Sequence, residues 1–188
     1  MRKGLVVTLL LCAMLFAFAG IAMAQQPSIY LGGNADDICT ASSGFVEIPI
    51  MVDDVTNLDS FTAVVVYDTN AVTAQIAFET SFFDPTGAAV IVDPTYNAYP
   101  DGTGSAVVGA SLIPTPVSTS SPQPIATLTL TAIPGQGNST AYLSIGILDP
   151  PLFATSLNNM TAMGSNPQIS VGPAIDVPGC TTAITGAL

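Results

Sequence analysis

The hydrophobic and polar positions along the chain change on a short period, with apolar and polar side chains alternating in brief runs. Glycine, proline, asparagine and aspartate separate these runs, and no stretch keeps a helical period over three turns. This pattern is typical of the strands of an all-β sandwich or barrel. We therefore predict about nine strands, at residues 28–31, 45–52, 60–67, 72–78, 88–92, 105–113, 125–133, 140–148 and 168–177.

Two of these runs show how their faces divide. The run at 140–148 alternates cleanly, with Thr140 and Tyr142 on its polar side. The run at 45–52 has one apolar and one mixed face, and it contains Pro49. Because proline cannot donate a hydrogen bond to a sheet, Pro49 predicts an edge position or a bulge.

The run at 60–67 differs, because apolar side chains occupy both of its faces. Alternation places one set of side chains toward the core and the other set outward, namely Ser60, Thr62, Val64 and Val66. A strand of this kind is either buried on both faces or exposes an adhesive patch. We predict that these four residues form a partner-binding face, with cover by the proline-rich loop at 114–124 as the alternative.

Charge is distributed very unevenly in this chain, which has 2 basic residues, 13 acidic residues and no histidine. Arg2 and Lys3 are the two basic residues, and their removal lowers the formal net charge from −11 to −13. A chain without cationic side chains cannot neutralise nucleic-acid phosphates or bind anionic lipid. The sequence therefore excludes nucleic acid and anionic membranes as partners and predicts a basic protein partner.

An apolar run at residues 4–24 follows the two basic residues and closes with Ala22-Met23-Ala24. This pattern predicts a signal peptide at residues 1–24. An uncleaved anchor is the alternative, since the run is about long enough to span a bilayer. We expect a secreted protein, extracellular or at the cell surface, in which residues 25–188 form one sandwich domain with its core at about 28–178.

Removal of the signal peptide leaves two cysteines, Cys39 and Cys180. In an oxidising compartment they predict a disulfide bond, with two free thiols as the alternative. Sequons at 138–140 and 159–161 make Asn138 and Asn159 acceptors for N-glycosylation wherever the source organism has the machinery.

The sequence offers few of the side chains that catalysis or metal binding usually needs. Without histidine or a nearby lysine, a serine or cysteine nucleophile lacks its usual base, and a zinc site lacks imidazole ligands. We therefore predict a protein that is not an enzyme and has no catalytic residue, metal or cofactor. The pairs Asp36-Asp37 and Asp53-Asp54 offer the oxygen ligands that calcium prefers, but neither matches an EF-hand loop, so we expect solvated turns.

Three stretches resemble a known family: GFVEIPIMV at 44–52, VTNL at 55–58 and FTAVVVYDTNAV at 61–72. They resemble the opening of a cohesin domain, in which a Gly-x-Val-x-Ile-Pro-Val type strand precedes a turn and a strand ending in Tyr-Asp-Pro-Asn. The later stretches IVDP at 91–94, YPD at 99–101 and IATLTLTA at 125–132 are similar to segments of that family. The likeness covers about residues 28–177.

The cohesin resemblance implies a nine-stranded jelly-roll β-sandwich whose first and last strands lie close together, and a Cys39–Cys180 bond fits that closeness. It also implies docking, because cohesins hold a dockerin, a calcium-loaded pair of short helices, on a flat sheet face. Two positions that present Asn and Asp to the dockerin in that family fall here on Ser60 and Thr62. Thr69 stands where the family has the proline of Tyr-Asp-Pro-Asn.

We therefore expect a secreted, non-catalytic module that docks a dockerin-type protein in a polysaccharide-degradation or cell-surface setting. A carbohydrate-binding module is one alternative, because Tyr96 and Tyr99 share a loop and could stack on a sugar of a polysaccharide. The lack of tryptophan weighs against this alternative. A structural surface protein with an acidic, solubilising exterior is the other alternative.

Overall fold

The structure is a computed structural model, and its described residues are 26–33, 44–84, 89–112, 115–146, 154–159 and 169–177. These residues form twelve strands and the short helix α1, Thr80–Phe83. The strands are β1 (Ser28–Leu31), β2 (Phe45–Asp53), β3 (Val55–Asp68), β4 (Val72–Phe78), β5 (Ala89–Ala98), β6 (Thr103–Leu112), β7 (Val117–Thr119), β8 (Gln123–Ala132), β9 (Ser139–Leu143), β10 (Ser156–Asn159), β11 (Ser170–Val171) and β12 (Ile175–Val177). A search of these ranges finds no helix with the length and apolar character that a membrane crossing needs.

The strands form two sheets. The first sheet has the order β11-β1-β2-β8-β4, and the second has the order β12-β9-β3-β6-β5, with β7 and β10 also paired to β3. One hydrophobic core, built from the inward side chains of both sheets, lies between them. The all-β sandwich predicted from the alternation is therefore confirmed.

Strand β3 is longer than predicted, because it begins at Val55 and not at residue 60. Its first part pairs with β7, which aligns Val55 with Thr119 and Leu58 with Val117. The pairing is interrupted around Asn57, which has a positive φ of 52°. The prediction of a proline-rich loop at 114–124 is therefore wrong for Val117–Thr119, which join the second sheet, and for Gln123 and Pro124, which begin β8 in the first sheet.

The C-terminal run predicted at 168–177 is two strands in two different sheets. Strand β11 pairs with β1 in the first sheet, and β12 pairs with β9 in the second. Gly172 and Pro173 separate them, and proline lacks the N–H that a continuous strand would need. Strand β10 was not predicted from sequence, because its sequence SLNN has a single apolar residue, Leu157, and so shows no alternation.

Pro49 lies in an interior strand, since β2 is flanked by β1 and β8. A bulge follows directly, between Ile50 and Met51, as one of its two predicted settings requires. The Pro49 carbonyl accepts a hydrogen bond from Gly32 N–H at 2.7 Å, just beyond the end of β1. Because N–H and C=O of one residue point to the same neighbour in an antiparallel strand, the donor that proline lacks would face the end of β1.

Three phenylalanines fix the centre of the core. Phe61 of β3 stacks on Phe78 of β4 with ring centroids 6.1 Å apart. Phe83 of α1 meets both rings edge-on, at 5.0 Å from Phe61 and 6.0 Å from Phe78. Phe83, the last residue of helix α1, therefore fills the space between the two sheets, and we call this its plug role.

We predict that Phe83→Ala lowers the free energy of unfolding by about 3–5 kcal/mol, because it leaves a cavity at a fully buried aromatic position. Phe45→Ala, at a ring that is 39% exposed, is the control and should change it by less than about 1.5 kcal/mol. Urea denaturation followed by circular dichroism measures both. Equal effects of the two substitutions would contradict the plug role of Phe83.

Candidate functional site

The four residues predicted as a partner-binding face lie on the outer side of β3, opposite the side that carries Phe61 into the core. Ser60 and Thr62 are half-buried, whereas Val64 is 0% exposed and Val66 is 3% exposed. On a bare sheet, outward valines of a middle strand would remain open to solvent. The structure thus corrects the expectation of an open face at Val64 and Val66.

Neighbouring outward residues of β6 are buried as well. Val64 pairs with Val107 and Val66 pairs with Ser105, and both partners are buried. The segment predicted as a cover does not explain this burial, because Val117–Thr119 lie within the sheet beside the start of β3. The outer side of the second sheet is therefore closed at its middle.

Val64 is also the point where β9 leaves the edge of β3 and β10 begins. The Val64 carbonyl accepts a hydrogen bond from Ser144 N–H at 2.9 Å. The Thr155 hydroxyl oxygen accepts one from Val64 N–H at 3.1 Å, and Thr155 N–H donates to the Ser144 carbonyl at 2.8 Å. Both backbone groups of Val64 are thus engaged, which leaves them unavailable to a partner's backbone.

Of the two tyrosines considered for stacking on a sugar, Tyr96 lies in β5 and Tyr99 directly follows that strand. Their side chains leave the sheet on opposite faces. Tyr96 pairs with core-facing Ala106, and its hydroxyl reaches the backbone of Ile76 in the other sheet. The Tyr99 hydroxyl lies 3.3 Å from the hydroxyl of Ser105, which is on the outer side. The rings therefore do not form the two-ring platform that was predicted.

The open part of the outer side is a shallow concavity at the end of β3, which we name the acidic concavity. It has a volume of about 600 Å³ and combines residues from β3, β6, β9, β12 and the adjoining turns. It is lined by Val66, Tyr67, Asp68, Asn70, Asp101, Gly102, Thr103, Asn138, Ser139, Thr140, Tyr142 and Asp176. Three of these side chains are carboxylates, and the Tyr142 ring is 41% exposed.

Two turns that are joined by hydrogen bonds hold one side of the acidic concavity. In the turn after β3, Thr69 donates both its N–H, at 2.8 Å, and its hydroxyl, at 2.7 Å, to the Gly102 carbonyl. Gly102 belongs to the turn between β5 and β6 and has a positive φ of 87°, a conformation that glycine adopts without strain. The Thr69 side chain thus fixes the β3–β4 turn against the β5–β6 turn.

The two aspartates of these turns each accept a hydrogen bond from the backbone two residues onward. Asn70 N–H donates to Asp68 at 2.8 Å, and Thr103 N–H donates to Asp101 at 2.9 Å. The hydrogen bonds from Thr103 lower the pKa of the exposed Asp101 carboxyl. Asp101 therefore stays ionised to a lower pH than an ordinary aspartate.

Tyr67 lies behind the acidic concavity and is nearly buried. Burial, and to a lesser extent the nearby Tyr96, raises the pKa of the Tyr67 hydroxyl. Tyr67 is therefore neutral at physiological pH, and the charge of the acidic concavity comes from its aspartates. No cationic side chain occurs after Lys3 in the sequence, so a countercharge has to come from outside this part of the chain.

A metal site is not found among the described residues, which contain no group of three His, Cys, Asp or Glu side chains placed for one. Asp53 accepts a hydrogen bond from Asp54 N–H at 2.9 Å, and Asp54 has a positive φ of 52°, as in a tight turn. The pair Asp36-Asp37 lies outside the described residues.

Other predictions concern parts of the chain that the structure does not describe. The signal peptide at 1–24 and the bond between Cys39 and Cys180 lie outside the described residues, and the sequon at 159–161 extends beyond them. Asn138 is exposed at the rim of the acidic concavity. These expectations stay predictions.

Sequence reasoning did not place the acidic concavity, although local signals for its parts exist. Alternation puts Tyr142 outward on β9, and Asp176 outward between the buried Ile175 and Val177 of β12. Aspartate followed by Gly or Thr-Asn is typical of a turn, which accounts for Asp68 and Asp101. Their convergence depends on sheet order, which no local pattern contains.

Several solved structures share this fold at low sequence identity. The solution structure of CaCohA2 from Clostridium acetobutylicum has a TM-score of 0.51 and 14% identity, with 85% of this chain and 94% of that chain covered. The second type II cohesin module from the adaptor ScaA scaffoldin of Acetivibrio cellulolyticus has a TM-score of 0.51 and 14% identity, with 81% of this chain and 91% of that chain covered. The seventh ScaB type I cohesin from Pseudobacteroides cellulosolvens has a TM-score of 0.50 and 12% identity, with 84% of this chain and 94% of that chain covered.

No family model and no curated protein sequence matches the chain. The structural likeness shows the fold: the chain has a cohesin-like jelly-roll sandwich. The resemblance read from the stretches at 44–52 and 61–72 is therefore confirmed at the level of the fold.

We predict that Thr69→Val, which removes only the hydroxyl hydrogen bond to Gly102, lowers the free energy of unfolding by about 1 kcal/mol. Thr69→Pro removes both hydrogen bonds, but proline suits this turn position and restricts the unfolded chain, so the expected loss is about 1–2 kcal/mol. Urea denaturation of both variants measures these losses. A proline variant as stable as the unsubstituted protein would contradict a stabilising role for the contact between the two turns.

Proposed function

We propose that this protein is a secreted, non-catalytic docking module that binds a basic, dockerin-type protein partner at the acidic concavity. The observation that carries this proposal is the concavity itself, which Asp68, Asp101 and Asp176 line together with the exposed ring of Tyr142. Aromatic anchors with charged surroundings are common at protein interfaces.

The position of the acidic concavity in the fold supports docking. It lies on the outer side of the sheet that contains β9, β3, β6 and β5, and a sheet face is the kind of surface that the cohesin resemblance implies. The residues Tyr67 to Asn70, which carry part of that resemblance, line it or form the adjacent turn. One fold serves many functions, so the cohesin-like fold only supports a docking role. The proposal rests on the residues that line the acidic concavity.

The charge of the chain determines the chemistry of the partner. Carboxylates on a chain with no cation after Lys3 attract lysine and arginine side chains and repel acidic surfaces. A partner that presents one or two basic residues beside an apolar contact for Tyr142 fits this site. Ser60 and Thr62 are half-buried at the other end of the outer side and are separated from the acidic concavity by the buried Val64.

The absence of histidine from the sequence supports a non-catalytic role, because the usual general base is missing. The predicted signal peptide supports export, and a polysaccharide-degradation or cell-surface setting follows from the same resemblance. Enzyme mounting on a scaffold is then the process to which this docking would contribute.

Calorimetric titration with dockerin modules encoded in the same genome tests the proposal. We expect binding that weakens as the NaCl concentration rises from about 0.05 to 0.5 M, because salt screens charges at an exposed interface. Asp101→Asn and Asp176→Asn together should weaken it about fivefold at low salt, since each exposed ion pair contributes modestly. Tyr142→Ala should weaken it at least about tenfold.

Glu47→Gln is the matched control, because Glu47 is exposed on the outer side of the other sheet. It changes the net charge by one unit without touching the acidic concavity and should leave affinity unchanged. Failure of every dockerin to bind, or equal weakening by Glu47→Gln and Asp176→Asn, would contradict the proposal. Retention of the protein on cellulose, chitin or xylan would favour the carbohydrate-binding alternative.

A further inference from the structure

Strand β4 is the edge of the first sheet, and its composition leaves that edge unprotected. Its sequence, VTAQIAF, contains no charge, no proline and no glycine. Its pairing with β8 runs without a register shift from Val72 to Phe78. Charges, proline and bulges are the usual features that keep an edge strand from pairing with another chain, and short uncharged segments of this kind pair readily.

The hydrogen-bonding groups of β4 point alternately toward β8 and away from it. Ala71 and Glu79, at its two ends, bond toward the β8 side, so residues of odd number face β8. The even-numbered residues present their N–H and C=O groups at the open edge. Within the described ranges, Val72 and Ala74 have no backbone partner on that side, but Val72 is only 1% exposed and Ala74 is 8% exposed, so the accessible part of the edge begins at Ala74.

Ile76, near the middle of the open edge, is the exception. Its N–H donates to the Tyr96 hydroxyl oxygen at 3.0 Å, and its carbonyl accepts from the same hydroxyl at 3.3 Å. Tyr96 comes from β5, the edge of the opposite sheet, where it pairs with core-facing Ala106, and its side chain is 46% exposed at the side of the sandwich. One side chain therefore occupies both groups through which a further strand would pair at Ile76.

The facing edge, β5, has its own protection. Its register shifts between Val92 and Thr95, where Asp93 and Pro94 interrupt the strand. A charge, a proline and an irregularity thus occur together on β5, and none of them occurs on β4. The two edges on this side of the sandwich are protected by different means.

We propose that Tyr96 is an edge cap whose hydroxyl and ring block pairing of β4 with β4 of a second copy of this chain. A second copy is the fitting occupant, because two uncharged antiparallel β4 strands can pair about a two-fold axis with no like charges opposed. The formal net charge of −11 repels the two copies at long range, and salt screens that repulsion. The cap is therefore most needed at high ionic strength.

Hydrogen exchange measured by NMR on the mature chain tests whether the Tyr96 hydroxyl protects the Ile76 amide. Tyr96→Phe should make the Ile76 amide exchange about fivefold to tenfold faster, because one hydrogen bond is lost. The Gln75 and Ala77 amides, which face β8, should change much less, and this ratio separates local opening from global destabilisation. Tyr99→Phe, which alters a hydroxyl on the outer side, is the matched control and should leave Ile76 unchanged.

Analytical ultracentrifugation in about 0.5 M NaCl tests whether β4 pairs with β4 of a second copy when Tyr96 is removed. Tyr96→Ala should produce a concentration-dependent dimer, and adding Gln75→Glu should return it to monomer, because the two glutamates would oppose each other across the new pair. An unchanged Ile76 amide in Tyr96→Phe, a monomeric Tyr96→Ala, or a dimer that persists with Gln75→Glu would each overturn the proposal. If Tyr96→Ala does not fold, Tyr96→Leu, which keeps an apolar side chain but has neither ring nor hydroxyl, replaces it in the sedimentation experiment with the same expected dimer.

Discussion

The structure depends on β3 being paired along both of its edges. Strands β6 and β7 follow one another on one side, and β9 and β10 follow one another on the other. Because the side chains of a strand alternate, this fixes Phe61 and Tyr67 in the core and directs Val64 and Val66 to the outer side. The acidic concavity exists because β3 ends where β9, β12 and the β5–β6 turn come together.

Charge imposes a second constraint, which acts on every carboxylate. With no cationic side chain after Lys3, aspartates cannot be neutralised by ion pairs within the folded domain. Asp68 and Asp101 accept backbone N–H groups instead, which orients their carboxylates but leaves their full negative charge. The fold therefore gives these aspartates hydrogen bonds but no countercharge, and this is the basis for proposing a basic partner. A net charge of one sign also keeps copies of the chain apart.

The sandwich could be predicted from sequence because strand alternation and turn residues are local signals, as on β2 and β9. The cohesin-like fold could be predicted for the same reason, since its markers lie in one stretch around β2 and β3. The engagement of the Val64 backbone could not, because its N–H donates to Thr155, which is 91 positions away in the chain. Likewise, Asp68, Asp101 and Asp176 each follow a local pattern, but only sheet order brings them to one surface.

Tyr96 and Tyr99 illustrate the same distinction. A shared loop predicts that both rings could stack on one sugar, but this requires both rings to leave the sheet on the same side. In an extended strand, an odd separation puts side chains on opposite faces. Tyr96 accordingly spans the sheets to Ile76, while Tyr99 contacts Ser105 on the outer side. The strand period therefore decides where each hydroxyl bonds: that of Tyr96 bonds to the edge of the other sheet, and that of Tyr99 to the outer side of its own sheet.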